Sequence, residues 1–123
     1  MTGRANDSLE AEVAVELSND AGQSISVAAI VDTGFTGALS ISGRIADQLD
    51  WPVTEAVPIE LADGSRRLIL AYEGLVLWEG RRRAILALQT DGPVLLGMGL
   101  MLNERIVIDV RPGGPVEITS LAD

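Results

Sequence analysis

The sequence predicts a mostly β domain, a closed β-barrel with two short helices. Short apolar segments recur along the chain, and several alternate apolar and polar residues as half-buried strands do. Turn-forming pairs such as Asp63-Gly64 and Glu79-Gly80 separate these segments. Aromatic residues make up only 3% of a chain that is 47% hydrophobic, so the core must be mainly aliphatic. The 123 residues fit one domain over residues 10–121, preceded by a polar, flexible N-terminus over residues 1–9.

The strands are expected wherever an apolar or alternating segment lies between turn residues. In chain order they are residues 12–17, 25–31, 38–41, 57–61, 67–71, 75–78, 84–88, 94–96, 105–110 and 115–119. Three hairpins follow, because turn residues separate the paired segments at 62–65, 79–80 and 112–114.

Two helices are expected, and both are short. Ser42 fits the N-cap of a helix over residues 43–50, in which Ile45 and Leu49 share one face. Pro52 is expected to end it. The second helix, over residues 99–103, has room for a turn or two.

Missing residue types exclude several kinds of active site. The chain has no histidine and no cysteine, and all nine of its basic residues are arginine. This composition rules out Ser-His-Asp and Cys-His sites, zinc sites built on imidazole or thiolate, disulfides and catalytic lysines. Acid–base chemistry near neutral pH must then rest mainly on carboxylates. No metal and no cofactor is expected.

Charge and hydropathy narrow the range of partners. A formal net charge of −9 argues against a nucleic-acid partner, because the phosphate backbone would repel the chain. The basic run Arg81-Arg82-Arg83 is interpreted as part of a solvated hairpin turn. No apolar run reaches the roughly 18 residues that span a bilayer, and the N-terminus lacks the apolar stretch of a signal peptide. We therefore expect a cytoplasmic protein that does not bind membranes.

An apolar strand leads directly into Asp32-Thr33-Gly34. A carboxylate at the end of a buried strand is costly unless it is paired, hydrogen-bonded or used chemically. A second apolar strand ends in Leu95-Leu96-Gly97, and a hairpin with an Asp-Gly turn lies between the two motifs. Together these features resemble the retropepsin-like, or clan AA, aspartic proteases, and most of all the prokaryotic members with Phe after Asp-Thr-Gly. The resemblance extends over roughly residues 10–121.

The resemblance implies a retropepsin-like barrel, the single lobe of the acid-protease fold, and a role for each motif. Asp32 is the catalytic residue, and one copy per chain implies a homodimer in which two Asp32 carboxylates activate a water that hydrolyses a peptide substrate. The residues that support the active site would be Thr33, Gly34, Leu95, Leu96 and Gly97. The residues that bind substrate would be Phe35 and the tip of a flap, Leu61, Ala62, Asp63 and Gly64.

The chain departs from the family pattern at two positions. Phe35 stands where Ser, Thr or Ala is usual, so no hydroxyl there donates to the carboxylates, and we expect a mildly acidic optimum of about pH 5 to 6.5. Met98 stands where an Arg or Asp often follows the glycine. Two other functions fit the same residues. One is a non-catalytic dimeric module that binds peptides or proteins, and the other is a plain barrel subunit in which Asp32 caps a turn.

Overall fold

A ring of six strands forms the centre of the molecule in the computed structural model, which describes residues 1–121. The elements, in chain order, are β1 (Thr2–Ala5), β2 (Ala11–Ser18), β3 (Ser24–Asp32), β4 (Leu39–Ile41), α1 (Gly43–Gln48), β5 (Val53–Glu60), β6 (Arg66–Trp78), β7 (Arg81–Gln89), β8 (Leu95–Gly97), β9 (Glu104–Ile108) and β10 (Pro115–Ser120). The mostly β fold predicted from the sequence is confirmed.

The ring runs β2-β3-β8-β4-β7-β6 and closes where β6 pairs with β2. Two of its pairings are parallel, β3 with β8 and β4 with β7, and the others are antiparallel. Closure removes free strand edges from the ring. β5 extends the sheet beyond β6, while β1, β10 and β9 extend it beyond β2.

The interior of the ring is filled mainly by aliphatic side chains, as the composition predicts. Its fully buried members include Leu17, Leu39, Ile41 and Leu96. Trp51 is also buried, and its indole N–H donates to the Ser18 carbonyl oxygen at 2.8 Å. Burying apolar surface of this kind is the main stabilising contribution to folding.

The first predicted helix is present and the second is not. The Ser42 hydroxyl accepts a hydrogen bond from the Ile45 N–H at 3.3 Å, as an N-cap does. The helix ends at Gln48, earlier than predicted, and Asp50 follows in the left-handed region with φ of 53°. Residues 98–103 form hydrogen-bonded turns rather than a helix. The Met101 N–H there donates to the carbonyl of Met98, three residues back, so no α-helical bond forms.

The N-terminus also differs from the prediction of a flexible segment over residues 1–9. Strand β1 pairs with β2 on one side and with β10 on the other. This segment is too short and polar to be recognised as a strand, and its conformation comes from these two neighbours. No described helix has the length and apolar character to cross a membrane.

Strand β6 is a single strand of 13 residues where the sequence predicts two, over 67–71 and 75–78. Its first part pairs with β5 and its second part with β7, so it changes partner near Ala71 and Tyr72 without a break. The hairpin of β5 and β6 therefore projects from the barrel as an arm with a turn at residues 61–65, which we call the tip.

Candidate active site

Asp32 is the last residue of β3, and its side chain is half-buried. In the parallel pairing of β3 with β8, Asp32 lies opposite Gly97, and Val31 lies opposite Leu96. The two motifs identified in the sequence are thus brought side by side, although more than sixty positions separate them. The pairing fixes where the backbone of Asp32 lies relative to the end of β8.

A tight turn at residues 32–35 holds the Asp32 carboxylate. Its Oδ1 accepts a hydrogen bond from the Gly34 N–H at 2.9 Å, and the Phe35 N–H donates to the Asp32 carbonyl oxygen at 3.2 Å. A Cβ at position 34 would lie 3.3 Å from Oδ1, so glycine gives the carboxylate room. Within residues 1–121, Oδ2 accepts no hydrogen bond from a side chain or from the backbone. Among the described residues, one carboxylate oxygen is therefore held by the turn and the other has no hydrogen-bond donor.

Three backbone hydrogen bonds join the following loop, residues 35–38, to the last residue of β8 and to the turn after it. Met98 N–H donates to the Phe35 carbonyl at 2.8 Å, and Gly97 N–H donates to the Ala38 carbonyl at 3.0 Å. Gly99 N–H donates to the Gly37 carbonyl at 3.1 Å. A Cβ on Gly97 would lie 1.9 Å from the Gly37 oxygen, so only glycine permits this approach.

The predicted supporting residues lie in and around this contact. Leu96 is fully buried between Val31 of β3 and Leu39 of β4, its neighbours on the two sides. Leu95 is half-buried one residue earlier on the same strand. Thr33 is exposed in the turn, with its side chain in solvent. Gly34 is exposed in the same turn.

Phe35, predicted to bind substrate, has its ring against the backbone of its own loop. A Cβ added to Gly37 at its ideal position would lie 2.6 Å from Cζ and 2.7 Å from Cε1 of the Phe35 ring. Its Cδ2 lies 2.7 Å from the ideal Cβ position of Gly97. The side chain is half-buried overall.

The tip carries the other residues predicted to bind substrate, and all of them are exposed. Gly64 adopts a φ of 84°, which glycine accommodates without strain. The Ser65 hydroxyl and backbone N–H both donate to Asp63 Oδ1, and these hydrogen bonds hold the pKa of Asp63 below its usual value. Among the described residues, no hydrogen bond or ion pair joins Leu61, Ala62, Asp63 or Gly64 to the Asp32 turn.

Two cavities of about 330 Å³ each lie away from Asp32. The first is lined by Trp51 and the segments around it. The second lies between residues 67–70 of β6 and residues 89–92, and a 3.9 Å ion pair joins Arg67 to Asp91 across it. Asp32 lines neither of these two cavities. Within residues 1–121, no group of three or more acidic, histidine or cysteine side chains is placed to hold a metal ion.

The sequence motifs did not identify every residue that joins the loop to β8. Gly37 and Ala38 of the loop and Gly99 of the turn after β8 take part in the backbone contacts, but no motif includes them. The available signal is the spacing of glycines, at 34 and 37 in one segment and at 97 and 99 in the other.

Comparison with known proteins finds a likeness in three-dimensional structure. No protein-family model matches the sequence, and no curated protein matches it. Among solved structures, the chain is similar to the crystal structure of a retropepsin-like aspartic protease from Rickettsia conorii, with a TM-score of 0.61 and 16% sequence identity. The match covers 99% of this chain and 91% of that one. At this identity the likeness concerns the fold, and the barrel of the present chain is retropepsin-like.

Proposed function

We propose that this protein is a homodimeric aspartic endopeptidase whose active site combines Asp32 from two subunits. The observation that carries the proposal is the Asp32 turn. A single carboxylate stands at the end of a strand in a retropepsin-like barrel, with one oxygen held by the Gly34 N–H and the other unbound. The loop that follows it is fastened to Gly97 and its neighbours by three hydrogen bonds, which gives the carboxylate a rigid support.

The proposed chemistry needs a pair of carboxylates that share one proton. Two carboxylates about 3 Å apart cannot both ionise, so the pair titrates as a unit and holds one proton over a range of pH. The ionised member takes a proton from a bound water, which attacks the carbonyl carbon of the peptide. The protonated member donates to the carbonyl oxygen, and the proton taken from the water later goes to the leaving amine.

The surface around Asp32 supports a dimer. Met98, whose N–H is bonded to the Asp32 loop, is 43% exposed, and Leu102 in the same turn is 70% exposed. These exposed apolar side chains lie on the segment that is bonded to the Asp32 loop, and a second subunit would cover them in the proposed dimer. In such a dimer the exposed Thr33 of each turn would reach the opposite loop and keep the two carboxylates in register.

The arm formed by β5 and β6 would act as the flap. Its tip projects from the barrel, and Gly64 gives it the conformational freedom that a closing segment needs. Closure over an extended peptide would bring the exposed residues 61–64 to the substrate and exclude water from the carboxylates. Because each chain carries a formal charge of −9, acidic peptides should be cleaved poorly at low salt.

The test is cleavage of a peptide library by the purified protein from pH 3 to 8, at several protein concentrations. Asp32→Asn should abolish cleavage, whereas the matched change Asp47→Asn, on an exposed position of α1, should leave it unchanged. Activity should rise faster than linearly with concentration where dimers form. A wild-type dimer that cleaves no peptide but binds peptides equally well with and without Asp32→Asn would contradict the proposal and favour the binding module.

A further inference from the structure

We infer that Phe35 is a positioning residue, whose ring holds the Asp32 loop in one conformation by packing on the bare backbone of Gly37 and Gly97. The inference rests on the proposed function, because it concerns how the loop that carries Asp32 is kept in place. It gives Phe35 a role different from the substrate contact that the sequence predicts.

The contacts of the ring carry the inference. A Cβ added to Gly37 would lie 2.6 Å from Cζ and 2.7 Å from Cε1 of Phe35, and a Cβ added to Gly97 would lie 2.7 Å from Cδ2. Real Cβ atoms do not approach other atoms this closely, so the ring occupies space that any other residue at 37 or 97 would need. Gly37 belongs to the loop of residues 35–38 and Gly97 to the end of β8, which are two segments that backbone hydrogen bonds join.

The backbone of Phe35 connects the same two segments. Its N–H donates to the Asp32 carbonyl at 3.2 Å, and its carbonyl accepts from the Met98 N–H at 2.8 Å. The ring thus fills the space between Gly37 of the loop and Gly97 at the end of β8, while the backbone of Phe35 bonds to Asp32 and to Met98. Without the ring these hydrogen bonds would remain, but the loop would have room to shift.

A small shift of the loop matters because the chemistry depends on geometry. Misplacing a reacting group by about 1 Å is enough to cost on the order of 100-fold in rate. A residue that lines a substrate subsite would instead change KM and sequence preference. The two roles therefore predict different kinetic changes for the same substitution.

A double-mutant cycle tests the packing without reference to activity. The three atoms nearest to a Cβ at position 37 all belong to the Phe35 ring, and Gly37 has no positive φ. Gly37→Ala should lower Tm by about 5 °C in the wild-type background and by much less in a Phe35→Ala background. Gly99→Ala is the matched control, because the three atoms nearest to its Cβ belong to the backbone of Thr36 and Gly37, at 2.7 to 3.1 Å, whatever residue stands at 35. It should destabilise both backgrounds.

Equal losses of Tm for Gly37→Ala in the two backgrounds, or no loss in either, would overturn the inference. Only non-additive coupling between positions 35 and 37, with additive behaviour between positions 35 and 99, supports it.

Kinetics test the positioning role. Phe35→Ala should lower kcat by about tenfold or more with KM changed by less than about twofold, measured well below Tm and with the dimer confirmed by sedimentation. Phe35→Leu, which keeps apolar bulk, should restore most of the loss. A changed KM or peptide preference at constant kcat would overturn the role. A wild-type chain without peptidase activity would overturn the proposed function and this kinetic role together, whereas the unfolding cycle still decides the packing.

Discussion

Leu96→Ala is the substitution that most directly probes the support beneath the Asp32 turn. Leu96 is fully buried on β8, where its backbone lies opposite Val31 on one side and Leu39 on the other. The next residue, Gly97, lies opposite Asp32. Truncation to alanine leaves a cavity inside the closed ring, and strands paired on both sides of β8 limit how far the structure can relax into it.

The expected loss in the free energy of unfolding is about 3–4 kcal/mol. The three carbons removed, one methine and two methyl groups, account for roughly 2.4 kcal/mol of it at about 0.8 kcal/mol per buried carbon, and the cavity left behind adds the rest. With an unfolding entropy of about 2.1 cal/mol/K per residue, this loss corresponds to a decrease in Tm of about 12–16 °C.

Thermal and urea unfolding at one fixed protein concentration provide the assay, because the stability of a dimer depends on concentration. Tryptophan fluorescence reports the transition, since both Trp51 and Trp78 are buried in the folded chain. Leu68→Ala is the matched control: Leu68 is 69% exposed, and its truncation should change stability by less than about 0.5 kcal/mol. A loss below about 1 kcal/mol for Leu96→Ala, or an equal loss for both variants, would refute the reasoning.

Three further predictions concern other parts of the molecule. Gly74→Ala should destabilise the fold by about 1–3 kcal/mol and shift tryptophan emission, because the added Cβ would lie 2.5 Å from the Trp51 ring; unchanged unfolding and emission would contradict this contact. Ser65→Ala should raise the pKa of Asp63 towards its usual value in an NMR titration, because it removes the hydroxyl that favours the charged form. Because this pKa is lowered, Asp63 stabilises the folded state at pH values above its ordinary pKa, and the contribution is lost as the pH falls through the lowered pKa. A titration that Ser65→Ala leaves unchanged would show that the hydrogen bond is not formed in solution. The pH–rate profile should peak at about pH 5 to 6.5, because Phe35 offers the carboxylates no hydroxyl donor, and full activity near pH 3 would contradict that argument.

The local parts of the fold were predictable because local chemistry determines them. Two hairpins form where the sequence places them, with turns at Asp63-Gly64 and Glu79-Gly80. Gly64, Glu79 and Gly80 adopt the positive φ values that tight hairpin turns require. The hydroxyl of Ser42 caps the only helix found among the described residues. Each of these features depends on neighbours within a few positions along the chain.

The features that the sequence did not predict depend on distant parts of the chain. Strand β1 pairs with β2 and β10 on its two sides, and its own four residues form no apolar or alternating segment that would predict a strand. The turns at residues 98–103 replace the predicted helix where Gly97 and Gly99 lie against the loop of residues 36–37. Glycines that allow two backbones to touch and glycines that form turns look the same in a sequence.

The candidate site also has one part that the sequence predicts and another part that it does not. Asp32 and Gly97 could be paired in advance, because two strand-end motifs at a family-like interval imply a common location, and the parallel register places them opposite each other. The contacts of the Phe35 ring could not be predicted, since they depend on the distance between two loops. Among the described residues, no hydrogen bond or ion pair joins the tip to the Asp32 turn, and in the proposed function the tip approaches Asp32 over a bound peptide.

The most direct test of the central claim, that two subunits share one active site, is a subunit-mixing experiment. Asp32→Asn chain is added in an equal amount to a fixed amount of wild-type chain, and the subunits are allowed to exchange at a concentration where both are dimeric. Random pairing places half of the wild-type chains in mixed dimers with a single catalytic carboxylate, so peptidase activity should fall to about half. Activity that stays unchanged on adding the variant would mean that each chain acts alone, which would contradict the account.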